Sequence, residues 1–194
     1  VQREELVLAS ASPRRREILA QLGLRFSVIE SGVDEPPPSG QEPEAYARAL
    51  AARKAEAVGT RLAQEGSRAF VLGADTIVVV DRAIVGKPSD DADAIRMLLL
   101  MQGRTHEVIT AVALGRAGDG LSRTLAVRSR VTFRAFDRAF AGRYVATGEG
   151  RDKAGSYAAQ GLGAGLLRAI EGSYSNVVGL PACETLELLI DQGA

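Results

Sequence analysis

Tryptophan is missing from this 194-residue chain, histidine and cysteine occur once each, and there is no net charge of either sign. Each of these shortages removes a class of chemistry. With one His and one Cys, a zinc site of clustered Cys and His ligands is excluded, and a Ser-His-Asp triad would have only His106 as its base. Cys183 has no partner for an internal disulfide; beside Leu180, Pro181 and Ala182 it reads as a buried small apolar residue in a reducing compartment. A nucleophilic role for it is disfavoured by the scarcity of histidine.

Lys plus Arg and Asp plus Glu number 24 each, which argues against broad attraction to nucleic acid or an anionic membrane while leaving room for a local basic pocket. Aromatic residues make up 5%, few for stacking nucleic-acid bases. The longest apolar stretches, such as 76–80 and 97–101, are far too short to span a bilayer. The chain opens on Val1 rather than Met, without the charged and apolar regions of a secretory signal. A cytosolic (cytoplasmic) protein is expected, whose chemistry rests on carboxylates, Lys, Arg and a hard metal held by oxygen.

What is abundant is aliphatic. Hydrophobic residues make up 46% of the chain, enough to fill a core of Leu, Val, Ile and Ala. The length suits one domain over 1–194, or two small lobes sharing a core. Residues 7–9 read as a buried strand entering a helix that runs from Pro13 to about Leu22. A strand over 26–29 precedes Asp34-Glu35 and a break at Pro36-Pro37-Pro38, and 44–62 has helical periodicity. Residues 70–80 form the strongest strand signal, returning through Asp81-Arg82 into 83–85. A helix over 91–101 stops at Gly103. Strands over 108–114 and 125–136 flank a 115–120 loop as antiparallel neighbours. A helix over 136–146, a glycine-rich region over 148–165, a strand over 166–170 and an amphipathic helix over 184–191 complete the chain. The fold class is α/β with a mixed sheet.

Several segments carry chemistry. In Leu8-Ala9-Ser10-Ala11-Ser12-Pro13-Arg14-Arg15-Arg16, Ser12 fits the N-cap and Pro13 the first helical position. Three Arg in the first turn oppose the helix dipole, a conflict that a bound polyanion would resolve through exposed N–H groups and guanidinium forks. An ordinary helix start is the plain alternative. In Gly73-Ala74-Asp75-Thr76, Asp75 is ionisable within an apolar strand, where a lone carboxylate is costly. It is either salt-bridged for structure or a metal ligand or base for water. Gly73 and Ala74 would let a ligand approach the backbone. The pair Asp34-Glu35 is a solvated turn, unless it folds over Asp75 to hold Mg²⁺ or Mn²⁺. Lys54 lies on a helix, Lys87 in Gly86-Lys87-Pro88, and Lys153 and Gln160 in a run of small residues that also suits a surface loop.

Taken in order, Leu-Ala-Ser-Ala-Ser-Pro-Arg-Arg, Gly-Ala-Asp-Thr-Ile-Val, Gly-Lys-Pro, Gly-Arg-Thr-His-Glu-Val-Ile-Thr-Ala-Val, Asp-Lys-Ala-Gly-Ser-Tyr and Val-Val-Gly-Leu-Pro resemble the Maf family of nucleotide pyrophosphatases from about Leu6 to Leu189. The resemblance implies a Maf/inosine triphosphatase-like α/β fold, a twisted mixed sheet flanked by helices in two lobes with a deep central cleft. It implies hydrolysis of a nucleoside triphosphate to the monophosphate and pyrophosphate, with Asp75 accepting the proton of the attacking water. Ser10, Ser12, Arg14 and Arg15 match the phosphate-contacting segment, and Lys54, Lys87 and Lys153 the basic positions. Asp34 or Glu35, with Asp75, matches the acidic metal site for Mg²⁺ or Mn²⁺.

The same resemblance implies a substrate branch. Arg14, Thr76 and Gln160 match members acting on dTTP and UTP, with modified pyrimidine nucleotides in the same class; the branch acting on 7-methyl-GTP typically has Trp, Gln and Glu there. A homodimer is expected by family analogy. Two departures stand out. The hairpin turn that usually contains Gly reads Asp81-Arg82-Ala83, and residues 147–151 are rich in Gly and charge. Rival readings are a non-catalytic nucleotide-binding regulator of cell division and a nucleotidyltransferase; nucleic-acid binding fits the composition least.

Overall fold

The computed structural model describes residues 5–36, 38 and 40–194, so Val1 and Pro37 of the expected proline break lie outside the described residues. Among the described residues seven strands form one sheet: β1 Leu6–Leu8, β2 Ser27–Val28, β3 Phe70–Val80, β4 Ala83–Val85, β5 Thr105–Arg116, β6 Gly120–Phe133 and β7 Leu167–Glu171. Their order is β2-β1-β3-β5-β6-β7, with β4 attached to β3. The helices are α1 Pro13–Gln21, α2 Pro43–Gln64, α3 Asp91–Met101, α4 Arg138–Ala146, α5 Tyr174–Val178 and α6 Ala182–Gln192. The mixed α/β class read from the sequence is the observed one.

The pairing of β3 creates the site. β5 follows one edge of β3 from Phe70 to Val79. On the other edge, parallel β1 reaches only from Phe70 to Leu72, and antiparallel β4 covers only Val78 to Val80. Among the described residues, 73–77 therefore have no strand beside them on that edge, and the sheet is split there. β3 itself is apolar on both faces because both faces are covered. α2 covers one, packing Leu50, Ala51, Ala55 and Val58 against Val71, Ile77 and Val79. The other faces α1, α3, α4 and α6 through Leu72, Ala74 and Val78.

Close packing of α2 depends on Gly73. A Cβ there would lie 2.3 Å from the Ala51 carbonyl oxygen and 2.7 Å from the Ala55 nitrogen. The expectation that Gly73 and Ala74 admit a ligand is thus corrected. The helix backbone fills the space at Gly73, and Ala74 is fully buried in the opposite core.

Other expectations change in detail. The 115–120 loop is a tight turn over 117–119, because Gly118 and Gly120 take φ of 89° and 84° and let the strands run on. β6 ends at Phe133, since Asp137 caps α4 by accepting from the Phe140 N–H at 2.7 Å. The glycine-rich region contains 3-10 turns at Ala154–Ser156 and Gly161–Leu166, and α5 follows it unforeseen. Asp81 and Arg82 make the β3–β4 hairpin with φ of 49° and 67°. Both central residues thus take the left-handed conformation that favours Gly in a two-residue hairpin turn.

Cys183 is exposed, correcting its expected burial. α6 turns Thr185, Leu188 and Leu189 inward, and the thiol sits 3.7 Å from the Glu187 carboxylate one turn on. Among the described residues no helix is long and apolar enough to cross a membrane.

Candidate active site

Neighbours on a strand ordinarily point to opposite faces. At the split in the sheet both Asp75 and Thr76 nevertheless line one cavity of about 250 Å³. The open edge lets side chains of both faces reach it. α1 and its N-cap supply Arg14, Arg15 and Ser12; α2 supplies Lys54; and the glycine-rich region supplies Lys153 and Gln160.

Asp75 is 5% exposed. Lys54 Nζ lies 2.7 Å from Asp75 Oδ1 and 2.7 Å from Glu35 Oε1, and Lys87 Nζ lies 2.7 Å from Glu35 Oε2. The result is a chain of alternating charge running outward from the strand. Burial pushes the Asp75 carboxyl up; Lys54 and Arg15 oppose that, and the Glu35 charge adds to it. Glu35 is only partly buried. Burial acts upward there too, but its hydrogen bonds and charge contacts with Lys54 and Lys87 win and hold it at about 2.

Of the acidic pair, Glu35 is the one that turns inward. Asp34 is exposed and off the cavity wall. Among the described residues no group of three or more His, Cys, Asp or Glu is gathered for a metal ion, so Asp34, Glu35 and Asp75 do not assemble as a set. The pair Glu35 and Asp75 does suit a hard divalent cation. Mg²⁺ characteristically takes one or two carboxylates together with substrate phosphates and water.

The opening segment divides by role. Ser12 occupies the N-cap without a side-chain capping bond, and its hydroxyl is on the wall. Arg14 is half-buried on the wall and makes no hydrogen bond among the described residues. Arg15 is buried: its Nε donates to the Gly179 carbonyl at 2.8 Å, one terminal nitrogen to Ser10 Oγ at 3.1 Å, and the other to Thr76 Oγ1 at 3.1 Å. Three of its five N–H donors are thus committed, leaving two for a ligand. Burial lowers its pKa, with Asp75 acting upward. Ser10 lies behind the wall, where its hydroxyl accepts from Arg15 and from the Ser12 N–H.

Thr76 is also committed. Thr110 Oγ1 donates to the Asn176 carbonyl at 2.9 Å, so the Thr76 hydroxyl, 2.9 Å away, donates to Thr110 while accepting from Arg15. Gln160 differs. Its side chain lines the cavity and makes no hydrogen bond among the described residues. Lys153 is on the wall, with its ammonium on Asp152 and on the Glu149 carbonyl.

His106 is outside this group. It is 2% exposed, with Nε2 2.9 Å from the Tyr157 hydroxyl and edge-on contacts to Phe133 and Tyr157. Burial lowers its pKa to about 4, so it is neutral near pH 7 and serves the core. Sequence reasoning passed over Asn176, which is fully buried: its side chain donates to the Val108 carbonyl and Ser129 Oγ and accepts from the Thr110 N–H. A lone Asn ahead of Val177-Val178-Gly179 gives no sign of burial. Glu149 and Tyr144, which brace the Gln160 loop, were also missed.

Comparison with known proteins finds relatives along nearly the whole chain. The family model described as Maf-like protein matches residues 5–192. A dTTP/UTP pyrophosphatase of Myxococcus xanthus (strain DK1622) is 51% identical over 185 residues, covering 95% of this chain and 90% of that protein. A dTTP/UTP pyrophosphatase of Shewanella oneidensis (strain MR-1) is 48% identical over 193 residues, covering 97% of this chain and 98% of its own. Among solved structures, the Ham1 protein of Staphylococcus aureus aligns with a TM-score of 0.42 at 17% identity, over 67% of this chain and 72% of that one.

Proposed function

The chain belongs to the Maf family, and on that premise we propose that it hydrolyses dTTP and UTP to the nucleoside monophosphate and pyrophosphate, with Asp75 as the base. The observation that carries this reading is the position of Asp75. It is a buried carboxylate at the open edge of β3, facing a cavity walled by Arg14, Arg15, Lys54, Lys87 and Lys153.

In this mechanism a water oxygen attacks the α-phosphorus and forms a new P–O bond. The bond from that phosphorus to the bridging oxygen breaks, and pyrophosphate leaves with the bridging oxygen. Asp75 takes the proton lost by the water. Its raised pKa makes it a stronger base than an exposed Asp, while Lys54 favours its ionised form. Activity should rise with pH as Asp75 loses its proton, through a value above the ordinary 3.8 of an aspartate. Ser12, Arg14 and the two uncommitted donors of Arg15 bind phosphate oxygens, joined by Lys87 and Lys153. Glu35 and Asp75 would hold Mg²⁺ or Mn²⁺, which when bound neutralises charge on the phosphates.

Gln160 reads the pyrimidine base. A site built on hydrogen bonds discriminates strongly, because a mismatched base leaves a buried polar group unpaired. Thr76 acts through Arg15: its hydroxyl orients the guanidinium, and Ser10 does the same from behind. We place the enzyme in the cytoplasm, in keeping with its unpaired thiol, and take 1–194 as one Maf-like domain.

A pyrophosphate-release screen across natural and modified triphosphates with Mg²⁺ or Mn²⁺ tests the reading. dTTP and UTP should be consumed, each giving its monophosphate and pyrophosphate. Turnover of 7-methyl-GTP alone would overturn the base-reading role of Gln160 and the substrate branch inferred from Arg14, Thr76 and Gln160.

A further inference from the structure

Gln160 sits on a loop without regular hydrogen bonding to the sheet, yet a residue that discriminates bases must be held still. The loop is gripped on both sides of Gln160 by two side chains from outside it. Behind, the Ala158 N–H donates to the Tyr144 hydroxyl at 3.1 Å. Ahead, the Leu162 N–H donates to Glu149 Oε1 at 2.9 Å and the Gly163 N–H to Glu149 Oε2 at 2.7 Å. The two anchors are joined, since the Tyr144 hydroxyl donates to Glu149 Oε2 at 2.8 Å.

The loop backbone is shaped to this grip. Gly161 has a φ of 62°, and a Cβ there would lie 2.2 Å from Glu149 Oε1. A Cβ on Gly163 would lie 2.8 Å from the Tyr144 hydroxyl and 2.1 Å from the Ala158 carbonyl oxygen. A side chain at Gly161 would push Glu149 off the loop, and one at Gly163 would strike both the Ala158 carbonyl and the Tyr144 hydroxyl. The Glu149 carbonyl also accepts from Lys153 Nζ, so one residue touches both the lysine at the phosphates and the loop at the base.

We propose that Glu149 is a positioning residue for nucleotide selection, and that with Tyr144 it fixes the loop from which Gln160 reads the base. A carboxylate is required chemically. Three donors converge on its two oxygens, whereas an amide has one acceptor oxygen and would turn its NH₂ toward at least one of those donors. Glu149 touches no substrate in this scheme; it acts through the loop. The proposal rests on Gln160 being the base-reading group, and the test separates the two.

The experiment measures kcat and KM for UTP and GTP in wild type, Glu149→Gln, Tyr144→Phe and Gln160→Ala, with backbone amide exchange of Ala158, Leu162 and Gly163 in the first three. Glu149→Gln should raise KM for UTP about 10-fold while kcat changes less than about 3-fold, so that the kcat/KM preference for UTP over GTP falls about 10-fold. Exchange at Leu162 and Gly163 should quicken. Tyr144→Phe, which keeps the ring in the core, should quicken exchange at Ala158 and shift the preference in the same direction, and it serves if Glu149→Gln fails to fold. A purely structural role would lower stability and leave the preference unchanged. If Gln160→Ala abolishes the preference while folded Glu149→Gln and Tyr144→Phe keep it, the proposal is wrong and the base-reading role stands. If Gln160→Ala itself keeps the preference, the base-reading role falls and the proposal with it.

Discussion

The wall of the cavity that carries Asp75 is a long strand with β5 along one edge and α2 packed on its face, whereas the wall that carries Gln160 is a glycine-rich loop held by Glu149 and Tyr144. The first must keep a carboxylate and an ammonium buried in contact. That arrangement is tolerable only if neither can drift, because an unpartnered buried charge is heavily penalised. In the proposed reading the second presents one neutral amide to a base, and a loop does this once its backbone is pinned at a few points. Binding residues commonly occupy loops positioned by a rigid scaffold. Here the carboxylate proposed to react belongs to the scaffold itself, and that is possible because, among the described residues, β3 lacks a partner strand over residues 73–77 on one edge.

The largest break in this contrast should come from Lys54→Met. It leaves Asp75 buried without its counter-charge and should cost about 3–5 kcal/mol at pH 7.5, read by urea unfolding. A loss below about 1 kcal/mol would mean that water already reaches the carboxylate.

Acid should instead weaken the loop wall, through His106 beneath Tyr157. The folded pKa of this histidine is depressed, so the unfolded chain takes up the proton first as pH falls. Its contribution is fully present above 6.5 and is lost as pH falls toward about 4, at most about 3 kcal/mol. Thermal melts between pH 7 and 4 should show this slope in wild type and a shallower one in His106→Gln; equal slopes would contradict it.

Gly161→Ala should cost about 1–2 kcal/mol by forcing Ala into the left-handed region, and more if Glu149 cannot shift. Its kinetic effect should fall on KM for UTP. A change confined to kcat would count against the division of labour between the walls. Arg82→Gly lies outside both walls and should stabilise by about 0.5–1 kcal/mol. It relieves the left-handed strain of the β3–β4 turn at some entropic cost, and an unchanged denaturation midpoint would show that the turn is unstrained.

The strand wall was legible in the sequence. An apolar run broken only by Asp75 and Thr76 predicts β3, and the rule that a buried carboxylate needs a partner makes an ion pair one of the alternatives at Asp75. That the partner is Lys54 was not legible, because nothing local shows that Gly73 admits the backbone of α2. That Arg15 is a cation at the helix start is plain from the sequence. Its commitment to Ser10, Thr76 and Gly179 depends on contacts across as many as 164 residues. The loop wall was least legible. Glycine between 148 and 165 signals mobility and close approach equally, and only the positions of Glu149 and Tyr144 decide between them. Cys183 misled for a simpler reason: an apolar neighbourhood in sequence is not a buried face of a helix.

Pyrophosphate release from UTP by Asp75→Asn, with Mg²⁺ present, tests the central claim most directly. The substitution keeps the size of the side chain and a hydrogen bond to Lys54, but removes the base. The rate at saturating Mg²⁺ and UTP should fall about 10²–10⁴-fold, with the protein folded. Release at the wild-type rate would remove Asp75 from the chemistry and leave the open edge of β3 without the purpose assigned to it.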